Sequence, residues 1–238
     1  AATSTIRASA RVEIEMGKFL RKIMLLFVVA VFSVSLTAQN KLSVNLGYLN
    51  SNTTLKSSMT GIQLSTELPS NGFVVGAAYD VMFANSLGVS LGLDYALTFG
   101  NKSLQIQGMS ANSTTYNIHT LELPIRLLYE YPIEDDISVF AFAGPKLAFD
   151  LAWKGKETYG SITKTFDMYD EDVIYRFNLL LGPGLGARYR NFQIKLGYDW
   201  GLLNRYNKNN KAVQLQGGLT PDVKLNTNNF YVMLGLVF

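Results

Sequence analysis

The sequence predicts an all-β chain: an eight-stranded antiparallel up-and-down transmembrane β-barrel, preceded by a signal peptide helix. Three observations lead there. Apolar residues recur at every second position in eight separate runs, each bounded by Gly, Asn, Ser or Asp, which is the period of a strand with two unlike faces. The connections between the runs alternate between very short and long. The face opposite the apolar one carries glycine together with acids and bases that can neutralise one another.

Composition agrees with one β-rich domain. Of 238 residues, 48% are hydrophobic and 16% charged, with 20 glycines. The absence of cysteine rules out disulfides, thiolate metal sites and a catalytic thiol. The net charge of +3 belongs to the leader, because beyond residue 38 acidic and basic residues are equal in number. No basic footprint is left for nucleic acid. Residues 1–15 are expected to be an upstream extension. Residues 16–38 read as the signal peptide: Lys18, Arg21 and Lys22 precede the apolar run Ile23 to Phe32, and small residues lead to Ala38. That run is shorter than the roughly 20 apolar residues a spanning helix needs. The barrel domain is then 39–238.

Taken in order, the first strand is marked by Leu42, Val44, Leu46 and Tyr48, and the second runs from Phe73 to Phe83. The third runs from Leu87 to Phe99, the fourth from Leu121 to Tyr131 and the fifth from Val139 to Trp153. The sixth spans Phe177 to Tyr189, turns at Arg190 and Asn191 into the seventh, Phe192 to Trp200, and the eighth is Phe230 to Phe238. Connections after the second, fourth and sixth strands are tight. Those at 50–71, 100–115, 155–172 and 204–228 are long and polar. Short turns at one end and long loops at the other describe a meander of even strand number. Pro124 lacks a donor and is expected to mark a bulge or kink.

A barrel of this size has an interior that side chains can fill. Asp80, Asp94, Glu122, Arg126 and Lys146 fall on the inward parity, as do Asp150, Arg188, Lys195 and Asp199. These are expected to form a polar network that plugs the lumen. The outward set grades by height. Phe83, Tyr131, Tyr189 and Phe192 lie near the short turns, and Tyr48, Phe73, Phe99, Trp153, Phe177 and Trp200 lie near the long loops. Two aromatic girdles flanking an aliphatic band are the expected anchors at the two membrane interfaces.

The last strand places Phe230, Val232, Leu234, Leu236 and Phe238 on one face. It looks like the C-terminal assembly signal of bacterial outer-membrane barrels, read by the barrel-assembly machinery, and it is expected to close the barrel against the first strand. Glu122-Leu123-Pro124-Ile125-Arg126, Phe142-Ala143-Gly144-Pro145, Leu181 to Gly186 and Gly197 to Leu202 resemble recurring pieces of the PorT-like outer-membrane β-barrel domain family. The resemblance implies a Gram-negative outer-membrane location, with long loops extracellular and termini periplasmic. Outer-membrane lipid and lipopolysaccharide are then its surroundings, and an envelope or secretion-system protein its candidate partner.

Sites of chemistry are sparse. His119 is the only histidine and falls on the lipid-facing parity, with Leu121 rather than serine two residues on. Asp167, Asp170, Glu171 and Asp172 match no ordered calcium-loop spacing, so no metal is expected. Gly182, Gly184 and Ala187 imitate a dinucleotide fingerprint, but a turn and a strand follow where that motif needs a helix. No cofactor is expected. The leading expectation is a non-enzymatic envelope protein, structural or partner-binding through its long loops. A narrow passive pore and a lipid-modifying enzyme using His119 remain as alternatives.

Overall fold

The computed structural model describes residues 39–59, 62–83, 86–104, 112–159, 162–170, 173–207 and 222–238. The expected extension and signal peptide lie outside them. The described residues form nine strands: β1 (Gln39–Met59), β2 (Ile62–Met82), β3 (Leu87–Leu104), β4 (Asn112–Glu134), β5 (Ile137–Tyr159), β6 (Ile162–Asp167), β7 (Phe177–Tyr189), β8 (Phe192–Gly201) and β9 (Asp222–Val237). They are hydrogen-bonded in the order β4-β3-β2-β1-β9-β8-β7-β5-β6, and β4 also pairs with β5. Eight strands therefore close a ring, as the alternation required, and the short β6 hangs on β5 outside it.

Closure runs between the first and last strands. Leu46 lies opposite Leu234 and Tyr48 opposite Val232 in an antiparallel ladder. Leu42 and Phe238 exchange backbone bonds, with the Leu42 N–H donating at 3.2 Å and the Phe238 N–H at 2.8 Å. A closed ring leaves no unpaired edge in its spanning part, which is the condition for strands to exist in lipid.

Much of what the sequence marks as long loops is strand. β1 continues to Met59 and β2 begins at Ile62, inside the expected 50–71 loop. The β1–β9 ladder likewise continues from Ser51 opposite Asn229 to Ser58 opposite Asp222. These segments are polar on the outer face and carry only scattered apolar residues inward, among them Leu55, Leu68, Val223 and Leu225, so their period-2 signal is weak, yet the neighbouring strand satisfies their backbone. Thr53 and Thr227 add a hydroxyl contact of 2.9 Å between the two strands. The hairpins thus extend the barrel wall beyond its apolar band.

The alternation also breaks once in a way the sequence hides. The β4–β5 register shifts between His119 and Thr120: His119 faces Ala152, Thr120 faces Asp150, and Leu151 is left over as a bulge. Side chains beyond it change sides. Trp153, expected among the interface aromatics, is therefore buried at 2% exposure and faces inward. At Pro124 the register does not shift. The β3–β4 ladder skips a step between Leu91–Ile125 and Asp94–Glu122 and resumes unchanged. A Cβ on Gly92 would meet the Pro124 ring, so the glycine makes the room that the proline needs.

The tight turns are as expected. Arg190 sits at φ 52° between Tyr189 and Phe192, which pair directly. The other interface aromatics point outward: Tyr48, Phe73, Phe83, Phe99, Tyr131, Phe177, Tyr189, Phe192 and Trp200 are all among the exposed large hydrophobics.

Candidate functional site

The inward face of the ring fills the lumen in three tiers of charge. At the tight-turn end, Arg188 bonds Asp80 and Glu130, and its Nε donates to Gln193 Oε1 at 3.2 Å. Lys41 Nζ reaches both oxygens of Glu130 at 2.8 and 2.9 Å, and Ser138 Oγ donates to the same carboxylate at 2.6 Å.

In the middle tier, Arg126 Nη2 donates to Asp199 Oδ1 at 2.7 Å, while its Nη1 donates to the carbonyls of Gly182 and Gly144. Lys146 Nζ lies 2.8 Å from Glu122 Oε2 and 2.9 Å from Asp199 Oδ2. All four charged side chains are buried. Charges at such depth persist only when paired and hydrogen-bonded, because desolvation otherwise outweighs any benefit.

The third tier is a cap brought by the connections. Asp150, at the top of the ring, accepts from Thr120 Oγ1 at 2.7 Å, Tyr169 OH at 2.6 Å and Arg205 Nη2 at 2.5 Å. Arg205 also donates to Tyr169 OH at 2.8 Å and through Nε to the Tyr175 carbonyl at 3.0 Å. Burial, and then the Asp150 carboxylate beside it, holds the Tyr169 hydroxyl above the ordinary phenol range. Burial opposes the Arg205 charge, but Asp150 and Tyr169 outweigh it and keep the guanidinium firmly protonated.

In every tier a cation rests over a ring: Arg188 lies 4.4 Å from the Phe140 centroid, Lys146 4.7 Å from Tyr231 and Arg205 5.9 Å from Trp153. Apolar side chains fill the remaining space. Phe140, Phe142, Leu128, Tyr231 and Met233 belong to one inward cluster. Two glycines of β7 receive its rings, since a Cβ at Gly184 would meet Phe142 and one at Gly186 would meet Phe140. A cavity of about 50 Å³ lies inside, with Asp94 and Lys195 in its lining and neither in a direct ion pair among the described residues. It has room for a water or two.

A family model, outer membrane protein beta-barrel domain, matches residues 37–207. The chain belongs to this outer-membrane β-barrel family. Solved structures resemble the barrel at low identity. Ail, the attachment invasion locus protein of Yersinia pestis, is 14% identical, with 84% of this chain and 99% of that one covered and a TM-score of 0.42. OprG from Pseudomonas aeruginosa is 12% identical, over 84% and 97%, with a TM-score of 0.45. The outer membrane protease OmpT from Escherichia coli is 10% identical, over 86% and 98%, with a TM-score of 0.44. No curated protein matches the sequence.

In an outer-membrane barrel the exposed apolar wall is the transmembrane surface, and its aromatics anchor the two interfaces. His119 sits on that wall. Tyr95 OH lies 2.6 Å from its Nδ1, and Asn117 Nδ2 lies 3.5 Å from its Nε2. These partners are a phenol and an amide rather than a serine and a carboxylate. Asp167 accepts the Tyr169 backbone N–H at 3.0 Å, and Glu171 and Asp172 lie outside the described residues.

All the charged residues expected to line the lumen do face it: eight are buried, and Lys195 lines the cavity half-buried. The sequence reading missed Glu130, Lys41, Tyr169 and Arg205. Glu130 follows the alternation between outward Tyr129 and Tyr131, so parity alone would have found it. Tyr169 and Arg205 lie in connections without period and carry no such mark.

Proposed function

We propose that this barrel is a non-enzymatic envelope protein of the PorT-like kind, acting through its long hairpins on a protein partner of the envelope, a secretion system or a surface-attachment system. In this reading the long-hairpin end is extracellular, while the tight turns and the Lys41 and Phe238 ends are periplasmic. The observation that carries it is the lumen. Three tiers of mutually neutralised charge and a ring cluster fill it around a cavity of about 50 Å³, so the exposed surface outside the membrane is where contact is made. The hairpins supply that surface as ordered strand with polar side chains on the outer face.

The test is photo-crosslinking in intact cells from exposed hairpin positions such as Thr163, Lys164 and Lys224. A discrete protein adduct, absent when the same probe replaces membrane-facing Leu185, supports the reading. Recovery of lipid adducts alone from every hairpin position overturns it.

A further inference from the structure

Outside the lumen, β2 to β6 and the turn after β6 build a cleft of about 1120 Å³ at the long-hairpin end. The registers place its side chains in two parallel rows on the outward face. The lower row runs Asn71, Phe99, Asn117, Lys154 and Asp167 across five strands. The upper row runs Asn101, Thr115, Lys156 and Thr165 across β3 to β6. Two exposed ammonium groups, neither in a salt bridge among the described residues, thus stand among amides and hydroxyls, with Asp167 directly opposite Lys154. Phe99 of the upper girdle forms a platform on the membrane side. Below the rows the same face turns apolar, with Leu97 on β3 and Leu121 on β4 opposite Phe149 on β5.

We propose that this cleft binds the phosphorylated sugar headgroup of an outer-membrane glycolipid whose acyl chains lie on the apolar wall below. Lys154 and Lys156 hold the phosphate. The sugar stacks on Phe99, and its hydroxyls bond Asn71, Asn101, Asn117 and the Asp167 carboxylate. Asp170, also in the lining, sits in the turn after β6, its N–H donating to the Asp167 carbonyl at 3.3 Å. The inference rests on the proposed orientation only in taking the long-hairpin end to face the glycolipid leaflet.

The test uses the full chain folded in detergent and titrated with a bis-phosphorylated disaccharide glycolipid, its dephosphorylated form and the acyl-free phosphorylated disaccharide, read by mass spectrometry of the intact complexes. Lys154→Ala with Lys156→Ala is expected to weaken binding of the phosphorylated lipid about 30-fold, near fivefold for each cation. Wild type should bind the dephosphorylated lipid about as weakly, and Lys224→Ala on β9 should bind like wild type. Unchanged affinity in the double variant overturns the site, as does an equal loss in Lys224→Ala. Equal binding of the acyl-free sugar phosphate overturns a membrane source for the ligand. Heat-shifted gel mobility shows that each variant is folded. Loss of lipid binding without loss of the hairpin crosslinks separates this site from the partner reading.

Discussion

Arg188 stands between two carboxylates at the tight-turn end of the lumen, with Phe140 beneath it and about 4% of its surface exposed. Arg188→Leu would leave Asp80 and Glu130 facing each other without their shared cation. Breaking a buried pair in this way costs about 3–5 kcal/mol, so the urea midpoint of the heat-shifted gel band should fall markedly. Replacing Asp80 and Glu130 with leucine in the same chain should restore most of the loss, because an apolar core of similar volume needs no partner. A single variant as stable as wild type would mean that water already reaches this tier. Parity identified Arg188 and Asp80 from the sequence. That Arg188 shares Glu130 with Lys41 depends on which strands are neighbours across the lumen, which no local pattern records.

At the scale of the element, β9 shows how a strand can matter more for assembly than for the finished fold. Its backbone closes the ring against β1, while the Phe238 side chain is 70% exposed and packs on nothing in the lumen. Phe238→Ala should therefore leave the unfolding midpoint of refolded barrel nearly unchanged and lower the amount of folded barrel in outer-membrane fractions. Normal amounts of heat-shifted barrel from the variant would remove the ring's role in recognition by the assembly machinery. β5 carries the opposite lesson. Val139 to Phe149 keeps strict alternation, but the bulge at Leu151 turns Trp153 inward, where it meets Arg205 and a tilted Tyr116 ring at 6.2 Å. A bulge depends on the partner strand's register, so period counting along β5 assigns Trp153 to the wrong face. Phe140 and Phe142 escape counting for a related reason: they alternate with Val139, Ala141 and Ala143, and both faces there are apolar.

For the whole molecule, the tiers act in series. The Asp150–Tyr169–Arg205 cap and the Arg126–Asp199–Lys146–Glu122 cluster each span the lumen with buried side chains. Purified wild type in planar bilayers should show at most rare, small openings. Arg205→Ala should behave alike, because the middle tier still closes the path after the cap is loosened. Stable, large openings from wild type would overturn the sealed lumen and favour a pore, while openings confined to Arg205→Ala would identify the cap as the sole barrier.

The sequence by itself determined the number of strands in the ring, the direction their faces point short of the bulge in β5, and the closure of the last strand on the first. It did so because a closed wall between lipid and a filled interior imposes a period of two on every spanning residue. It also placed nine charges inside, from Asp80 to Asp199, since a charge on the lipid face is costly and parity leaves it only the lumen. The tertiary structure alone decided which acid meets which base, where the bulge reverses the faces of β5, and that Tyr169 and Arg205 return from aperiodic connections to cap Asp150. It also decided that the polar stretches beyond the apolar band continue as strand and align Lys154 and Lys156 in one cleft. Those features depend on register between strands far apart in sequence, and hydrogen bonds to a neighbour leave no periodic mark on either strand.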